Sequence, residues 1–80
     1  MTIQLHLYST SYCHLCEEAK KLIATIADAH DIHWVSIEIA DDAELLEEYG
    51  TQIPVLLRLD TNTAISWPFN MIDIQNLINN

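Results

Sequence analysis

Apolar and polar side chains alternate near the start of the chain, where Ile3, Leu5 and Leu7 are separated by polar residues. Alternation with a period of two residues is typical of a β-strand that buries one face. The pattern therefore predicts a first strand from Ile3 to Tyr8. The polar segment Ser9-Thr10-Ser11 then breaks the alternation and ends the strand.

Beyond this strand the spacing of apolar residues changes to steps of three and four. Apolar side chains at these steps share one face of an α-helix, while charged residues occupy the other face. The pattern predicts an amphipathic helix that begins at a pair of cysteines, Cys13 and Cys16. Its apolar stripe consists of Cys16, Ala19, Leu22, Ile23, Ile26 and Ala27.

A second strand and a second helix are predicted in the middle of the chain. Alternation returns over Ile32–Ile39, a segment rich in β-branched residues, which favour strands. Asp41, followed three residues later by Glu44, resembles a capping box at the start of a helix. Because glycine commonly ends helices, we expect Gly50 to stop this helix after about two turns.

The last third of the chain predicts a hairpin and a helix. Two apolar runs, Pro54–Leu59 and Thr63–Trp67, flank Asp60-Thr61-Asn62, whose small polar residues suit a tight reversal between antiparallel strands. Pro68 ends the hairpin, and Asn70 is expected to cap a final helix. The inward side chains of that helix would be Met71, Ile74, Leu77 and Ile78.

The predicted order is β-α-β-α-β-β-α, which places the chain in the α/β class. A right-handed crossover pairs the first two strands in parallel, and the hairpin completes a four-stranded mixed sheet flanked by helices. The length of 80 residues and the hydrophobic content of 50% suit one compact core. We therefore expect a single domain over residues 1–80, and a monomer.

Charge narrows the range of partners. Three basic residues against twelve acidic ones give a formal net charge of −9, which repels phosphate backbones and anionic lipids. We therefore expect no nucleic-acid or membrane partner, and we expect a neutral or basic protein to be favoured. The N-terminal segment has no basic region followed by an apolar segment, as a secretory signal would, so we expect a cytoplasmic protein.

The two cysteines have C-x-x-C spacing, which in a reducing compartment indicates catalysis or metal binding rather than a permanent crosslink. Unpaired N–H groups and the positive end of the helix dipole favour a thiolate on Cys13. The first helical turn brings Cys16 within reach of a sulfur held by Cys13. We therefore expect Cys13 to be the nucleophile and Cys16 the resolving thiol in thiol–disulfide exchange.

Three neighbours of the cysteines are candidates for supporting roles. His14, when cationic, would stabilise the Cys13 thiolate and raise the oxidising power of the pair. The alternative is a solvent-facing histidine with a small effect. Tyr12 and Leu15 would form an apolar rim where a partner chain docks, although exposed apolar residues are also common without any such role.

A metal site is the main alternative use of the cysteines. Together with His30 and His33 they form C-x2-C-x13-H-x2-H, a spacing close to that of a zinc finger. A finger, however, places its cysteines on a hairpin and separates its histidines by three to five residues. A metal or iron–sulfur interaction module, with ligands from histidine or a second subunit, stays as the alternative to an enzyme without bound metal or cofactor.

Two segments match a known family pattern. They are Tyr8–Cys16, which reads YSTSYCHLC, and Thr51–Pro54, which reads TQIP. With the order of elements, they resemble the glutaredoxin-like proteins, which have the thioredoxin fold and carry out thiol–disulfide exchange. The resemblance implies that Pro54 is cis and lies beside the dithiol. It also implies that backbone groups of Ile53, with Thr51 and Pro54 beside it, contact the bound thiol chain.

Three positions depart from family members that use glutathione. Such members carry a basic residue near the end of the first strand, a tyrosine before the second cysteine, and Gly-Gly with an acidic residue after the hairpin. This chain has Tyr8-Ser9, Leu15 and Trp67-Pro68-Phe69-Asn70 there. These departures and the negative charge weigh against glutathione, while Thr51–Pro54 keeps the backbone groups that would contact it. Two candidate reductants therefore stay open, glutathione and a thioredoxin reductase-like donor.

Overall fold

The computed structural model of the chain describes residues 2–79, which form alternating strands and helices followed by a hairpin and a last helix. The order is the one that the periodicity predicted; the starts at Ile3, Ile32 and Thr63 coincide with it, and the other boundaries differ by at most two residues. In chain order the elements are β1 (Ile3–Ser9), α1 (His14–Ala29), β2 (Ile32–Glu38), α2 (Ala43–Tyr49), β3 (Val55–Arg58), β4 (Thr63–Ser66) and α3 (Met71–Asn79).

The strands form one four-stranded sheet in the order β2-β1-β3-β4. β1 pairs in parallel with β2, and both β1–β3 and β3–β4 are antiparallel. The predicted mixed sheet is therefore confirmed. β1 is one of the two inner strands and is paired on both sides. It leads directly into the segment that carries the cysteines, so a strand held by two neighbours positions the motif.

One face of the sheet carries the larger core, because α1 and α3 both pack against it. Leu5 and Leu7 of β1 and Leu56 of β3 are almost completely buried there. Burial of such side chains is the main favourable contribution to folding. The helices and the segment before α3 contribute Ala19, Ile23, Ile26, Phe69, Ile74, Leu77 and Ile78.

The opposite face carries a smaller cluster, built on Tyr8, Ile39 and Val55 and covered by α2. The ring of Tyr8 stacks on that of Tyr49, with centroids 4.5 Å apart and planes 16° apart. Burial, with the nearby charge of Glu48, raises the pKa of both tyrosines above 10.0. This cluster lies at the end of the sheet where β1 leaves towards the cysteines.

The start of α2 corrects one prediction, since its N-cap is Asp42 rather than Asp41. Asp42 is extended, and its Oδ1 accepts hydrogen bonds from the N–H groups of Glu44 and Leu45 at 2.9 and 3.2 Å. A turn in which Asp42 N–H donates to the Ile39 carbonyl places the helix start one residue later than the capping-box spacing suggested.

The predicted cap of α3 is confirmed. Oδ1 of Asn70 accepts from Asp73 N–H at 3.0 Å, and Oδ2 of Asp73 accepts from Asn70 N–H at 2.9 Å. At the hairpin, Asn62 adopts a left-handed conformation with φ 54°, which asparagine tolerates better than most residues. Gly50 caps α2, and its N–H donates to the Leu46 carbonyl.

Arg58 connects the hairpin to α3. Its side chain is buried, and it donates to both carboxylate oxygens of Asp60 at 2.6 and 3.1 Å and to the Leu77 carbonyl at 2.9 Å. A carbonyl in the last turn of a helix has no partner within the helix, so this bond satisfies an otherwise free acceptor. Within residues 2–79, no helix is both long and apolar enough to cross a bilayer.

Candidate active site

Cys13 and Cys16 form a disulfide bond at the start of α1, with Cα atoms 5.2 Å apart. Cys13 is the N-cap of the helix and has an extended backbone, with φ −99° and ψ 108°. Its Sγ accepts a hydrogen bond from the N–H of Cys16 at 3.1 Å. A sulfur that already receives a backbone N–H at a helix N-terminus is placed where negative charge is stabilised.

The two sulfurs differ in accessibility. Cys16 is 1% exposed and lies on the apolar stripe of α1 above Ala19. Cys13 is half-buried, at the junction between the loop and the helix. Cys13 is therefore the more exposed residue of the disulfide.

Pro54 lies at the same end of the sheet as the cysteines. The Ile53–Pro54 peptide bond is cis, which is the geometry that the family resemblance implied. In the β1–β3 register Val55 is opposite Tyr8, so the start of β3 lies beside the end of β1. Ile53 packs against the Tyr8 cluster, and Thr51 is exposed.

Tyr12, His14 and Leu15 all project from the surface around Cys13. Tyr12 is fully exposed and has a left-handed backbone with φ 60°, and Leu15 is also exposed. The His14 side chain is 87% exposed, with its Nε2 3.7 Å from Oε1 of Glu18. The structure thus places the predicted docking residues together on the surface, and it places His14 in solvent beside an acidic neighbour.

A polar cleft of about 440 Å³ opens beside the loop that precedes Cys13. It is lined by Ser9, Thr10, Ser11, Tyr12, Glu17, Lys20, Ser36 and Glu38. Within it the hydroxyl oxygens of Ser9 and Ser36 are 2.8 Å apart. Sequence reasoning did not find this cleft, because its lining comes from β1, the loop after it, α1 and β2, and only the folded chain brings these segments together.

Glu38 is the residue of this cleft that sequence reasoning missed most clearly. Hydrogen bonds from the Thr10 side chain, the Ala40 N–H and Ser11 lower the pKa of its carboxyl below 4.5. The register aligns Glu38 with Ser9, the last residue of β1. The sequence did contain a signal: Glu38 is an acidic residue at the end of the strand that was predicted to pair in parallel with β1.

The zinc-finger arrangement does not fit the fold. Cys13 and His30 cap opposite ends of α1, which has 16 residues and is therefore about 24 Å long. His33 follows in β2, so the cysteine pair and the histidine pair cannot share one ion. Among residues 2–79, no group of three or more His, Cys, Asp and Glu side chains is arranged to hold a metal.

Comparison with known families gives one match that spans almost the whole chain. The model of the family described as Glutaredoxin-like domain (DUF836) matches residues 4–79. No curated protein matches the chain.

Solved structures share the fold. Protein XcR50 from X. campestris is 33% identical, with 94% of this chain and 95% of that chain covered and a TM-score of 0.81. Protein Ne2328 from Nitrosomonas europaea is 21% identical, with 94% and 89% covered and a TM-score of 0.82. Thioredoxin 1 from Thermosipho africanus is 19% identical, with 95% and 90% covered and a TM-score of 0.74. From its C-x-x-C pair, its strand order and these matches, the chain belongs to the glutaredoxin-like family and has the thioredoxin fold.

Proposed function

We propose that this glutaredoxin-like chain is a thiol–disulfide oxidoreductase that exchanges its Cys13–Cys16 pair with protein disulfides or mixed disulfides. The observation that carries the proposal is the asymmetric disulfide, in which a half-buried N-cap cysteine is bonded to a cysteine that is only 1% exposed. A dithiol arranged in this way has one group suited to attack and one suited to resolution.

The reaction begins with the reduced protein. The Cys13 thiolate, stabilised by the Cys16 N–H and the helix dipole, attacks one sulfur of the partner disulfide and releases the other as a thiolate. Cys16 then attacks Sγ of Cys13, and its proton passes through solvent to the departing partner sulfur. This step forms the intramolecular disulfide and releases the second partner thiol. Two electrons pass from the dithiol to the partner, and an external dithiol or thiol restores the reduced protein.

The neighbouring residues have proposed supporting roles. Tyr12 and Leu15 form a rim for the partner chain. Backbone groups of Thr51, Ile53 and cis-Pro54 contact the partner segment that holds the reacting sulfur. His14 tunes the thiolate. The net charge of −9 favours a neutral or basic protein partner. The protein would act as a cytoplasmic monomer without a bound cofactor, with glutathione or a thioredoxin reductase-like donor as the reductant.

The test is turnover of a fluorescence-quenched disulfide peptide with dithiothreitol as the reductant. Wild type should accelerate cleavage, and Cys13→Ser should abolish the acceleration because the attacking sulfur is lost. Cys16→Ser, reduced and then freed of dithiothreitol, should instead trap a mixed disulfide between Cys13 and the peptide, visible as an added mass. An inactive wild type, or a Cys13→Ser variant that traps peptide as readily as Cys16→Ser, would contradict the mechanism.

The same preparation separates the enzyme from a metal-binding module. Protein purified without chelators should carry neither zinc nor iron, and both thiols should react with an alkylating reagent after reduction. Stoichiometric metal, with thiols that stay blocked until a chelator is added, would replace the oxidoreductase with a metal or iron–sulfur interaction module.

A further inference from the structure

Glu38, the last residue of β2, joins two segments that are far apart in sequence. Its Oε1 accepts hydrogen bonds from the N–H and the hydroxyl of Ser11 at 3.0 and 2.9 Å. Its Oε2 accepts from the Ala40 N–H at 3.3 Å. One carboxylate therefore ties the loop before Cys13 to the end of β2.

The loop that Glu38 holds determines the position of Tyr12. Tyr12 directly follows Ser11, has φ 60° and is fully exposed. A left-handed conformation is unfavourable for a bulky residue, so surrounding bonds must hold it. Because its side chain is solvent-exposed, the backbone of the loop, and not core packing, fixes its direction. The two bonds from Ser11 to Glu38 hold the residue immediately before it.

We propose that Glu38 is a positioning residue: it holds the Thr10–Ser11 segment so that Tyr12 stands beside Cys13 and contacts the partner chain at the polar cleft. This inference rests on the proposed oxidoreductase function, because it concerns how that site binds its partner. As a positioning residue, Glu38 does not contact the reacting sulfurs. Its removal should weaken partner binding and leave the chemical steps unchanged.

Kinetics of the quenched disulfide peptide separate these effects. Glu38→Ala should raise KM about fivefold and leave kcat within about twofold, which is the signature of lost binding without lost chemistry. Glu38→Gln should lie between wild type and Glu38→Ala, because the amide oxygen can still accept from Ser11. Glu47→Ala, which removes an exposed carboxylate on α2, is the control for the charge change and should leave KM unchanged.

A double variant tests whether Glu38 acts through Tyr12. Tyr12→Ala should itself raise KM, and Glu38→Ala added to Tyr12→Ala should raise it no further, since residues that act as a unit are not additive. Full additivity would overturn the inference, as would a Glu38→Ala variant with the KM of wild type.

Amide hydrogen exchange at Ser11 provides a readout that does not depend on activity. Glu38→Ala should speed exchange of the Ser11 N–H relative to Glu47→Ala, while amides of β1 stay protected, which also shows that the variant is folded. If wild type does not turn over the peptide, the proposed function fails. In that case the role of Glu38 is tested by exchange alone, and it fails too if Ser11 N–H exchange in Glu38→Ala is unchanged. If wild type turns over but Glu38→Ala changes neither KM nor exchange, the inference fails alone.

Discussion

The two sulfurs of the active-site pair have the same chemistry and different surroundings. Cys13 caps a helix and receives an N–H at 3.1 Å, whereas Cys16 is buried on the apolar stripe of the same helix. Burial disfavours a charged thiolate and a helix N-terminus favours it. These surroundings support the proposed order of events, in which Cys13 attacks first and Cys16 resolves.

His14 gives a prediction at the same scale. Replacing His14 with alanine should lower the reduction potential of the dithiol by roughly 10 to 20 mV, because an exposed cation beside the thiolate contributes only modestly. The potential is measured in dithiothreitol redox buffers at pH 6, where histidine carries more charge than at pH 8.

His33→Ala is the matched control for His14→Ala, because His33 is exposed on β2, beyond the opposite end of α1. It should leave the potential unchanged. An unchanged potential in His14→Ala as well would show that His14 is a solvent-facing residue without a tuning role.

At the scale of elements, the reciprocal cap of α3 makes a prediction about stability. Asn70→Ala removes the side chain that accepts from Asp73 N–H at 3.0 Å and should cost about 1 kcal/mol of unfolding free energy. Urea unfolding followed by circular dichroism measures the change. Gln75→Ala, at an exposed position of α3, should be nearly neutral, and equal effects of the two substitutions would contradict the capping role.

The two helix caps illustrate what the sequence can predict. Asn70 stands alone before the apolar run of α3, and the structure confirms its cap. Before α2 there are two consecutive aspartates, and either can cap a helix. The choice of Asp42 depends on a turn that closes onto the Ile39 carbonyl, and no side-chain pattern encodes that turn.

Hydrophobic periodicity was sufficient for the order of strands and helices, because each element buries one face. The contacts that join elements could not be predicted in this way. Glu38 and Ser11 are 27 residues apart, and Arg58 and Leu77 are 19 apart, so their partners are defined only by the folded sheet. The candidate site was therefore found from its motif, while the residue that holds its loop was not.

At the scale of the whole molecule, Arg58 and Asp60 couple the hairpin to α3, and acid should weaken this link. Hydrogen bonding from Arg58 lowers the pKa of Asp60 below 3.8. A carboxyl whose pKa is lower in the folded state than in the unfolded state stabilises the fold fully when the pH is above the unfolded-state pKa. This contribution is lost as the pH falls through the folded-state pKa. The stability of wild type should thus decline below about pH 4.

Asp60→Asn tests this link. The variant should be less stable than wild type at pH 7, and the difference should shrink as the pH falls from about 4 towards 2. Asp28→Asn, at an exposed position of α1, is the control and should run parallel to wild type in urea unfolding across the same range. A constant difference between Asp60→Asn and wild type would contradict the proposed linkage.

The reduction potential of the Cys13–Cys16 pair tests the central proposal most directly. The proposal predicts one two-electron transition between about −270 and −120 mV, the span of known exchange enzymes. Protein is equilibrated across dithiol redox buffers that span this range, and free thiols are counted with an alkylating mass tag. Thiols that form no intramolecular disulfide, or that stay blocked until a chelator is added, would contradict the proposal.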